Sequence, residues 1–479
     1  MKTPILGSSY VARSVNAADN RMVNLYPEVI PEGGKEAAYL QRAPGLRFLQ
    51  TVGTGPIRAL WAHQTNGSDF YVVSGNEVYQ LDSSTGTPTL LGAVTGTGPV
   101  SIADNGTQIF FACNPDSYIY NETLGTFAQI TDPDFPGAVT VSYLDGYFVF
   151  NEPDSQRIWV TSLLDGTQVD PLDFQSAEGS PDGVVGILSD HRELWVFGTD
   201  STEVWYDDGG ADFPLTRVQG AFNEVGCVAA HSIAKLDNGI FWLGTDARGQ
   251  GIVYRANGYQ AQRVSTHAVE WQVQQYADMS DAVAYTYQQD GHPFYVLNFP
   301  SANTTWVYDV STGAWHERAG FQDGAFVRHR ANCQCNFGGE IIVGDHENGN
   351  IYALDMTTFA GNGEPQKWLR SWRALPPGQN DLKREAHHHL QLDCETGVGL
   401  VTDTTPPQVM LRWSDDGGHT WSNEHWKSMG PIGNFRTRVV WRRLGMTMKL
   451  RDRVYEVSGT DPVKIAIMGA ELSASPTSA

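Results

Sequence analysis

The sequence predicts an all-β protein: a β-propeller preceded by an N-terminal arm and followed by a C-terminal β-sandwich-like domain. Three observations support this fold class. Short runs of alternating apolar and polar residues fill most of the chain, which is the pattern of strands with one buried face. Fifty Gly and 24 Pro among 479 residues supply many tight turns. The third observation is a strand pair that recurs along most of the chain.

In this repeat, an apolar or aromatic strand is followed one turn later by a strand that ends in aromatic or β-branched residues. Its successive copies contain residues 71, 109, 147, 194, 241, 294 and 341. Repeats of this spacing, with about four strands each, are typical of propeller blades. We expect seven blades over residues 46–360, or six or eight if one repeat is degenerate. Two consecutive β-sandwiches are the alternative interpretation.

The last repeat lacks a clear outer strand after Asp355. The alternating segment 46–52 lies just before the first repeat and has the length of one strand. We therefore predict that this segment pairs with the last repeat and closes the ring.

The two ends of the chain differ from the repeats. Residues 1–45 are polar and poorly periodic and are expected to form an extended arm. Turn-forming residues at 361–365 and 376–380 mark a domain boundary. About five alternating strands then predict a β-sandwich over residues 361–472, and residues 473–479 read as a flexible tail.

Charge limits the classes of partner. The formal net charge is −22, which argues against a protein that grips phosphate backbones. From residue 361 onward there are 15 basic and 13 acidic residues, so residues 1–360 carry a net −24. No apolar run reaches the length of about 18 residues that a membrane span needs. Five scattered Cys favour reduced thiols in a protein made in a cytoplasm.

The sharpest local motif resembles the Asp-box hairpin of glycan-processing propellers. Its residues are Ser414, Asp416, Gly418, Thr420 and Trp421. We expect the Asp to bond turn amides, the Gly to take a left-handed backbone and the Trp to anchor the turn in apolar packing. These are structural roles, and the motif occurs outside the repeats.

The sequence gives no positive sign of an enzyme, a metal site or a bound cofactor. A glycosidase needs two carboxylates placed across a sugar, and no sequence context singles out such a pair. His387 and His389 alternate onto one strand face, which supplies only two metal ligands where three or four are needed. Cys333 and Cys335 are separated by a single residue, unlike the ligands of structural zinc sites. We therefore predict no catalytic residue and no cofactor.

One run near the C-terminus concentrates basic residues. It contains Arg436, Arg438, Arg442 and Arg443. Alternation places the first three on one strand face. We favour a subunit interface that contacts acidic surface of a neighbouring copy over a solvated strand face, and both over nucleic-acid binding, because few aromatic residues accompany the arginines.

The same region carries a resemblance to a known family. Two groups of motifs are involved: Arg412–Gly417, Trp441–Gly445 and Arg451–Val454 near the C-terminus, and Ser180–Ile187, Glu193–Gly198 and Glu203–Tyr206 in the middle of the chain. The C-terminal group looks like the corresponding region of tail proteins from short-tailed bacteriophages. The middle group is similar to their packaged-DNA stabilisation protein, also called the tail hub or nozzle.

This resemblance implies a structural virion component without catalytic residues. It implies a homo-hexameric ring that continues the DNA channel below the portal and its adaptor, retains the packaged genome and lets it exit. The expected partners are the portal adaptor, a receptor-binding fibre or spike, the tail tip, and viral DNA that passes without specific binding. The expected location is the virion tail, after synthesis and assembly in the host cytoplasm. The alternative function is a carbohydrate-binding or sialidase-like propeller acting in host attachment.

Overall fold

The structure is a computed structural model that describes residues 1–477 except 16, 64–68, 83–85, 178, 211–212, 247–248, 377–383, 400–404 and 449–452. Part of the predicted boundary segment, 377–380, and residues 451–452 of one resemblance motif therefore lie outside the described residues, as do the last two residues of the tail. The described chain is almost entirely β, as predicted. Its two short helical elements are a 3-10 turn at Ala230–Ser232 and an α-helix, α1, at His267–Val273.

The N-terminal segment contains six strands. They are β1 (Tyr10–Val11), β2 (Asp19–Asn20), β3 (Met22–Val23), β4 (Leu25–Val29), β5 (Ala38–Arg42) and β6 (Gly45–Thr51). Strand β6 joins the repeats, β4 and β5 join a sheet of the C-terminal part, and β3 lies between a sheet of the repeats and the C-terminal part.

The repeats form a series of antiparallel sheets in chain order. Sheet 1 contains β7 (Ile57–Ala62), β8 (Asp69–Ser74), β9 (Glu77–Asp82) and β10 (Pro88–Ala93). Sheet 2 contains β11 (Ser101–Asp104), β12 (Gln108–Ala112), β13 (Ser117–Asn121) and β14 (Thr126–Gln129). Sheet 3 contains β15 (Val141–Leu144), β16 (Tyr147–Asn151), β17 (Arg157–Val160) and β18 (Phe174–Ser176). Sheet 4 contains β19 (Val184–Asp190), β20 (Glu193–Gly198), β21 (Thr202–Asp207) and β22 (Leu215–Asn223).

Three further sheets complete the series. Sheet 5 contains β23 (Gly226–Cys227), β24 (Ala234–Leu236), β25 (Gly239–Asp246), β26 (Gly249–Asn257) and β27 (Gln260–Arg263). Sheet 6 contains β28 (Val283–Gln289), β29 (His292–Phe299), β30 (Thr304–Asp309) and β31 (Ala314–Glu317). A hairpin, β32 (Ala319–Gln322) and β33 (Ala325–Arg328), precedes sheet 7, which contains β34 (Ala331–Phe337), β35 (Glu340–Asp345), β36 (Asn350–Asp355) and β6.

The sheets pack face to face in a closed ring. Each neighbouring pair shares a buried apolar cluster, and the series ends where it began, because Ile342 and Ile351 of sheet 7 pack with Phe70 and Val72 of sheet 1. The predicted closing strand is confirmed: β6 pairs antiparallel with β36 from Asn350↔Thr51 to Asp355↔Gly45. This arrangement is a β-propeller, in which we interpret each sheet of the described chain as one blade.

The C-terminal part is a β-sandwich. After a small hairpin, β37 (Ala360–Gly361) and β38 (Glu364–Pro365), its strands are β39 (Trp368–Arg373), β40 (Glu385–Cys394), β41 (Gln408–Ser414), β42 (His425–Ser428), β43 (Val439–Arg442), β44 (Val454–Gly459) and β45 (Ala466–Pro476). One layer has the order β3-β39-β44-β41-β42, and the other has the order β4-β5-β45-β40-β43. Trp368, Trp372, Leu390, Trp441 and Tyr455 are among the buried residues between them.

The N-terminal segment binds the sandwich to the ring. Val23 of β3 pairs parallel with Glu317 of β31 and antiparallel with Leu369 of β39, so the first layer continues sheet 6. The buried Arg42 donates hydrogen bonds to the carbonyl oxygens of Asp461 (2.7 Å) and Val463 (2.6 Å). Backbone pairing of β3 therefore joins the ring to the sandwich, and Arg42 ties β5 to residues 461–463 of the sandwich.

Part of the predicted tail lies in a strand. Residues 473–476 belong to β45 and pair with the start of β40 between Glu385 and His389. Backbone pairing holds these residues although their small, polar side chains predicted mobility.

Candidate interaction surfaces

The Asp-box-like hairpin follows β41 and is held by its own side chains. Asp416 Oδ1 accepts hydrogen bonds from the Ser414 hydroxyl (2.6 Å) and the Thr420 amide (2.8 Å), and Asp416 Oδ2 accepts one from the Thr420 hydroxyl (2.6 Å). The Gly418 amide donates to Ser414 Oγ at 2.8 Å. The bonds from Ser414 and Thr420 hold the pKa of Asp416 below its usual range, because they favour the charged carboxylate. These contacts stabilise the turn itself.

The hairpin also contacts the N-terminal segment. Gly418 has a φ of 109°, and a Cβ at this position would lie 2.5 Å from Asp19 Oδ2. Glycine is therefore required both by the backbone and by the close approach of Asp19. Trp421 is half-buried, and the Arg412 guanidinium lies over its ring at 4.7 Å, so the expected apolar anchor is instead a cation–π contact.

The four arginines of the predicted interface are all exposed: Arg436, Arg438, Arg442 and Arg443. Arg442 lies in β43, which pairs with β40 at one edge of the second sandwich layer. Val439 and Trp441 of the same strand are buried in the core. Because side chains alternate along a strand, Arg438 and Arg442 share the outward face. Arg436 precedes the strand and Arg443 follows it.

Three of these arginines, Arg438, Arg442 and Arg443, border an open groove with a volume of about 1030 Å³. We call it the basic groove, lined by Lys427, Arg438, Arg442, Arg443 and Met446. Within the ranges that the structure describes, none of its four cations has a carboxylate within ion-pairing distance. An unpaired cluster of this kind attracts an acidic partner.

Exposed apolar side chains occur in the same stretch of chain as the basic groove, and one of them, Met446, lines it. Five of them lie in residues 426–448: Trp426 (54% exposed), Ile432 (61%), Phe435 (74%), Met446 (54%) and Met448 (64%). The Trp441 indole donates to the carbonyl oxygen of His425 at 2.7 Å, which joins the edge strands β42 and β43 of the two layers. Aromatic residues, Met and Arg together are enriched at protein–protein interfaces.

The histidine run does not present the expected pair. A bulge between His387 and His389 in the pairing of β40 with β45 interrupts the alternation. His387 is buried, with its Nδ1 2.7 Å from the Tyr455 hydroxyl, whereas His389 is exposed. The prediction that both lie on one strand face is wrong because of this bulge.

The Cys333 and Cys335 thiols lie in β34 of sheet 7. Burial raises the pKa of the Cys333 thiol to about 12 and also raises that of Cys335. Both thiols are therefore protonated near neutral pH and are poor nucleophiles.

The ring encloses a central cavity of about 800 Å³, which is lined by the first strand or turn of each sheet. Its lining includes Arg58, Ser101, Ser142 and Tyr285. The Arg58 guanidinium donates to the carbonyl oxygens of Gly98, Gly75 and Thr95, so this charge is bonded within the ring. The cavity has the size of a small-molecule site.

The acidity of the chain is concentrated in the first four sheets. Residues 59–156 contain 11 Asp and Glu but no Lys or Arg, and residues 59–224 contain 24 acidic and 3 basic residues. This region therefore carries nearly the whole net charge of the chain. We call it the acidic half-ring, comprising sheets 1 to 4. The sandwich joins the ring at sheet 6, on the other side.

Sequence reasoning found the arginines but missed their surroundings. Strand β42, with Trp426 and Lys427, shows no alternation because all four of its residues are exposed. The sequence analysis divided the chain into only two segments at residue 360, and counting charges in shorter segments would have revealed the acidic half-ring.

Comparison with known proteins gives a consistent match over both parts of the chain. The family model described as bacteriophage P22 Gp10, β-propeller, a phage stabilisation family, matches residues 1–359. The model described as bacteriophage P22 Gp10, β-sandwich, matches residues 367–475. No curated protein matches the chain.

Several solved structures resemble the ring weakly. The β-propeller domain of Myceliophteria thermophila Cps50 (Swd1) is 9% identical, with a TM-score of 0.43, over 64% of this chain and 98% of that chain. The N-terminal domain of Nup159 is 11% identical, with a TM-score of 0.40, over 68% and 97%. BamB from Moraxella catarrhalis is 10% identical, with a TM-score of 0.39, over 70% and 99%. These likenesses carry no functional argument.

Proposed function

The chain belongs to the bacteriophage P22 Gp10 family of phage stabilisation proteins, which are structural tail proteins, and on this premise we propose that it forms the nozzle ring of a virion tail. In this role, copies of the chain surround the DNA channel below the portal and its adaptor. The ring retains the packaged genome and later permits its ejection. Six copies are the number that the family resemblance implies.

DNA passes between the copies in this proposal, and the size of the propeller cavity supports that arrangement. An inner strand of four residues is about 13 Å long, so a cavity of about 800 Å³ along it is roughly 9 Å across. The major groove of duplex DNA is itself about 12 Å wide. The duplex therefore needs a larger lumen, which a ring of several chains supplies.

The acidic half-ring is the observation that carries the nozzle role. Six copies with a net charge of −22 each carry −132. Carboxylates near the lumen repel DNA within a Debye length of about 8 Å at physiological salt. A channel with this lining holds DNA by geometry and does not bind its phosphates, so ejection meets little resistance.

The role requires mechanical strength and no chemistry. Within each copy, β6 closes the propeller, and one continuous sheet joins sheet 6 to the sandwich. Both features help the copy to resist deformation under the pressure of packaged DNA. The remaining partners are other tail proteins, namely the portal adaptor, a receptor-binding fibre or spike, and the tail tip. Assembly in the host cytoplasm agrees with the free cysteines of the chain.

Imaging and genome retention test the proposal together. We expect electron microscopy of tagged virions to place the protein in a six-fold ring at the tail. Particles assembled without it should package DNA and then lose it, as measured by nuclease-sensitive DNA in particle preparations. Absence of the ring from the tail, or normal DNA retention without the protein, would contradict the nozzle role. Hydrolysis of bacterial surface polysaccharide by the purified protein would favour the carbohydrate-directed alternative.

A further inference from the structure

A connection in the acidic half-ring presents exposed leucines. Between β17 and β18, which we call the leucine loop (residues 161–173), Leu163 is 60% exposed, Leu164 59% and Leu172 77%. Exposed apolar side chains that lie together on a surface mark sites of protein contact.

The leucine loop holds this apolar surface in a fixed and strained form. Leu164 has a φ of 61°, a left-handed conformation that is unusual for a bulky residue. Its amide donates to the Gly146 carbonyl at 2.8 Å, and its carbonyl accepts from Asn105 Nδ2 at 3.3 Å. Strain that is held by surrounding bonds is found at functional sites. The loop is thus organised before any partner binds.

Carboxylates surround the leucine loop. Residues 132–173 contain eight Asp and Glu and only one basic residue, Arg157. Asp132 lies beside the loop, since its Oδ2 accepts from the Val169 amide at 3.4 Å, and Asp134 and Asp170 are exposed. The loop therefore combines exposed leucines with nearby carboxylates, one of which, Asp145, pairs with Arg192 at 2.9 Å.

The basic groove has the complementary character. It combines the exposed Met446 with four cations that have no carboxylate within ion-pairing distance among the described residues. The two surfaces lie apart within one chain: the leucine loop belongs to sheet 3, whereas the sandwich continues sheet 6 across the ring. Two different surfaces on opposite flanks form head-to-tail contacts, which close into rings when the rotation permits.

We propose that the leucine loop of one copy docks into the basic groove of the next copy. This inference rests on the proposed ring and identifies the surfaces that form it. Leu163 and Leu164 contact the apolar side chains of the groove, and the carboxylates around them pair with Lys427, Arg438 and Arg442. The pairing neutralises only part of the acidic half-ring, so most of its charge stays available to face the lumen.

The apolar content of both surfaces favours protein over nucleic acid in the groove. Surfaces that bind DNA phosphates gain their affinity from cations. The apolar Met446 and the leucine loop would add nothing to an affinity for DNA. The alternative occupant, DNA, is an outcome of the test below.

Assembly of the purified full-length chain tests the docking. Mass photometry across a concentration series should show rings for the wild type. Leu164→Asp and the double variant Arg438→Glu/Arg442→Glu should each raise the concentration needed for assembly about tenfold or more, as expected for central interface residues. Two matched controls should assemble normally. One is Leu90→Asp, at a residue that is 54% exposed on β10, and the other is Arg13→Glu, at an exposed residue of the N-terminal segment.

A charge swap separates a specific contact from a loss of folding. Adding Asp134→Lys and Asp170→Lys to the Arg438→Glu/Arg442→Glu chain should restore part of the lost assembly, because the charges are again opposite. Three results would overturn the docking. The wild type could remain monomeric, the groove and loop variants could all assemble normally, or the chain could bind duplex DNA in a way that only the arginine variants abolish. If virions carry the tail ring but the groove and loop variants assemble normally, the nozzle role stands and the docking fails. If the variants lose assembly but virions carry no such ring at the tail, the docking stands and the nozzle role fails.

Discussion

Asp19 is a buried carboxylate at the contact between the N-terminal segment and the Asp-box-like hairpin. It is 9% exposed and approaches Gly418 closely. Burial, together with the nearby Glu456, raises the pKa of Asp19 to about 6, although Arg21 and Arg373 oppose the shift. The folded chain therefore takes up a proton at this residue at a pH where the unfolded chain does not.

This shift predicts a pH dependence of stability. Because the folded pKa of Asp19 exceeds the unfolded value of about 3.9, the unfolding free energy should fall as the pH rises from about 4 to about 6. Asp19→Asn should remove this component and stabilise the protein at pH 7 by about 3 kcal/mol. Urea denaturation at several pH values measures it, with Asp154→Asn at an exposed turn as control. An unchanged pH profile in Asp19→Asn would contradict the assignment.

At this scale, the sequence predicts what depends on neighbours in the chain. The bonds of Asp416 and the left-handed Gly418 follow from a local motif, and the structure contains both. The close approach of Asp19 joins residues about 400 positions apart, so no local pattern contains it. His387 shows the second limit: one bulge reverses which side chains face the core, and the alternation of the sequence does not record it.

Strand β6 is the element that closes the ring, and its residues divide sharply by burial. Leu46 is 5% exposed and belongs to the cluster shared by sheets 6 and 7, whereas Phe48 is 52% exposed. The Phe48 ring lies edge-on to the Tyr352 ring, with the two centroids 6.2 Å apart. Substitutions at Leu46 and Phe48 therefore distinguish the contribution of core packing at β6 from that of its backbone pairing with β36.

We expect Leu46→Ala to destabilise the protein by about 2–4 kcal/mol, because it leaves a cavity beneath the closing strand. Phe48→Ala, on the same strand, should cost less than about 1 kcal/mol. Chemical denaturation measures both, and hydrogen exchange of the β36 amides should accelerate in Leu46→Ala alone. Equal effects of the two variants would show that the core contacts of β6 do not secure the closure.

At the scale of elements, the repeats were predictable because each sheet contributes a strongly apolar second strand at regular spacing. The partner of β36 was predictable because only one unassigned alternating segment preceded the first repeat. The positions of β3, β4 and β5 were not. Strand β3 has two residues and pairs with both the ring and the sandwich, and so short a strand shows no periodicity.

For the whole molecule, the distribution of charge decides whether the proposed ring repels or attracts the DNA in its channel. The acidic half-ring spans sheets 1 to 4, and the cations of the basic groove lie on the sandwich beyond sheet 6. The sequence gives the number of charges in each segment, while their placement on opposite flanks depends on the closure of the ring.

Reversing charge in the acidic half-ring should slow ejection. We expect virions with Asp200→Lys, Asp208→Lys and Glu224→Lys, three exposed residues around sheet 4, to release DNA more slowly, because new cations near the lumen attract phosphates. The control makes the same change of charge at exposed residues outside the acidic half-ring, with Glu32→Lys, Glu364→Lys and Glu424→Lys. Fluorescence of released DNA measures ejection, and the delay should shrink at about 0.5 M salt, where screening shortens the range of these charges. Equal ejection rates for the two triple variants would contradict an acidic lining, while a delay that salt does not relieve would point to altered assembly and not to attraction of DNA.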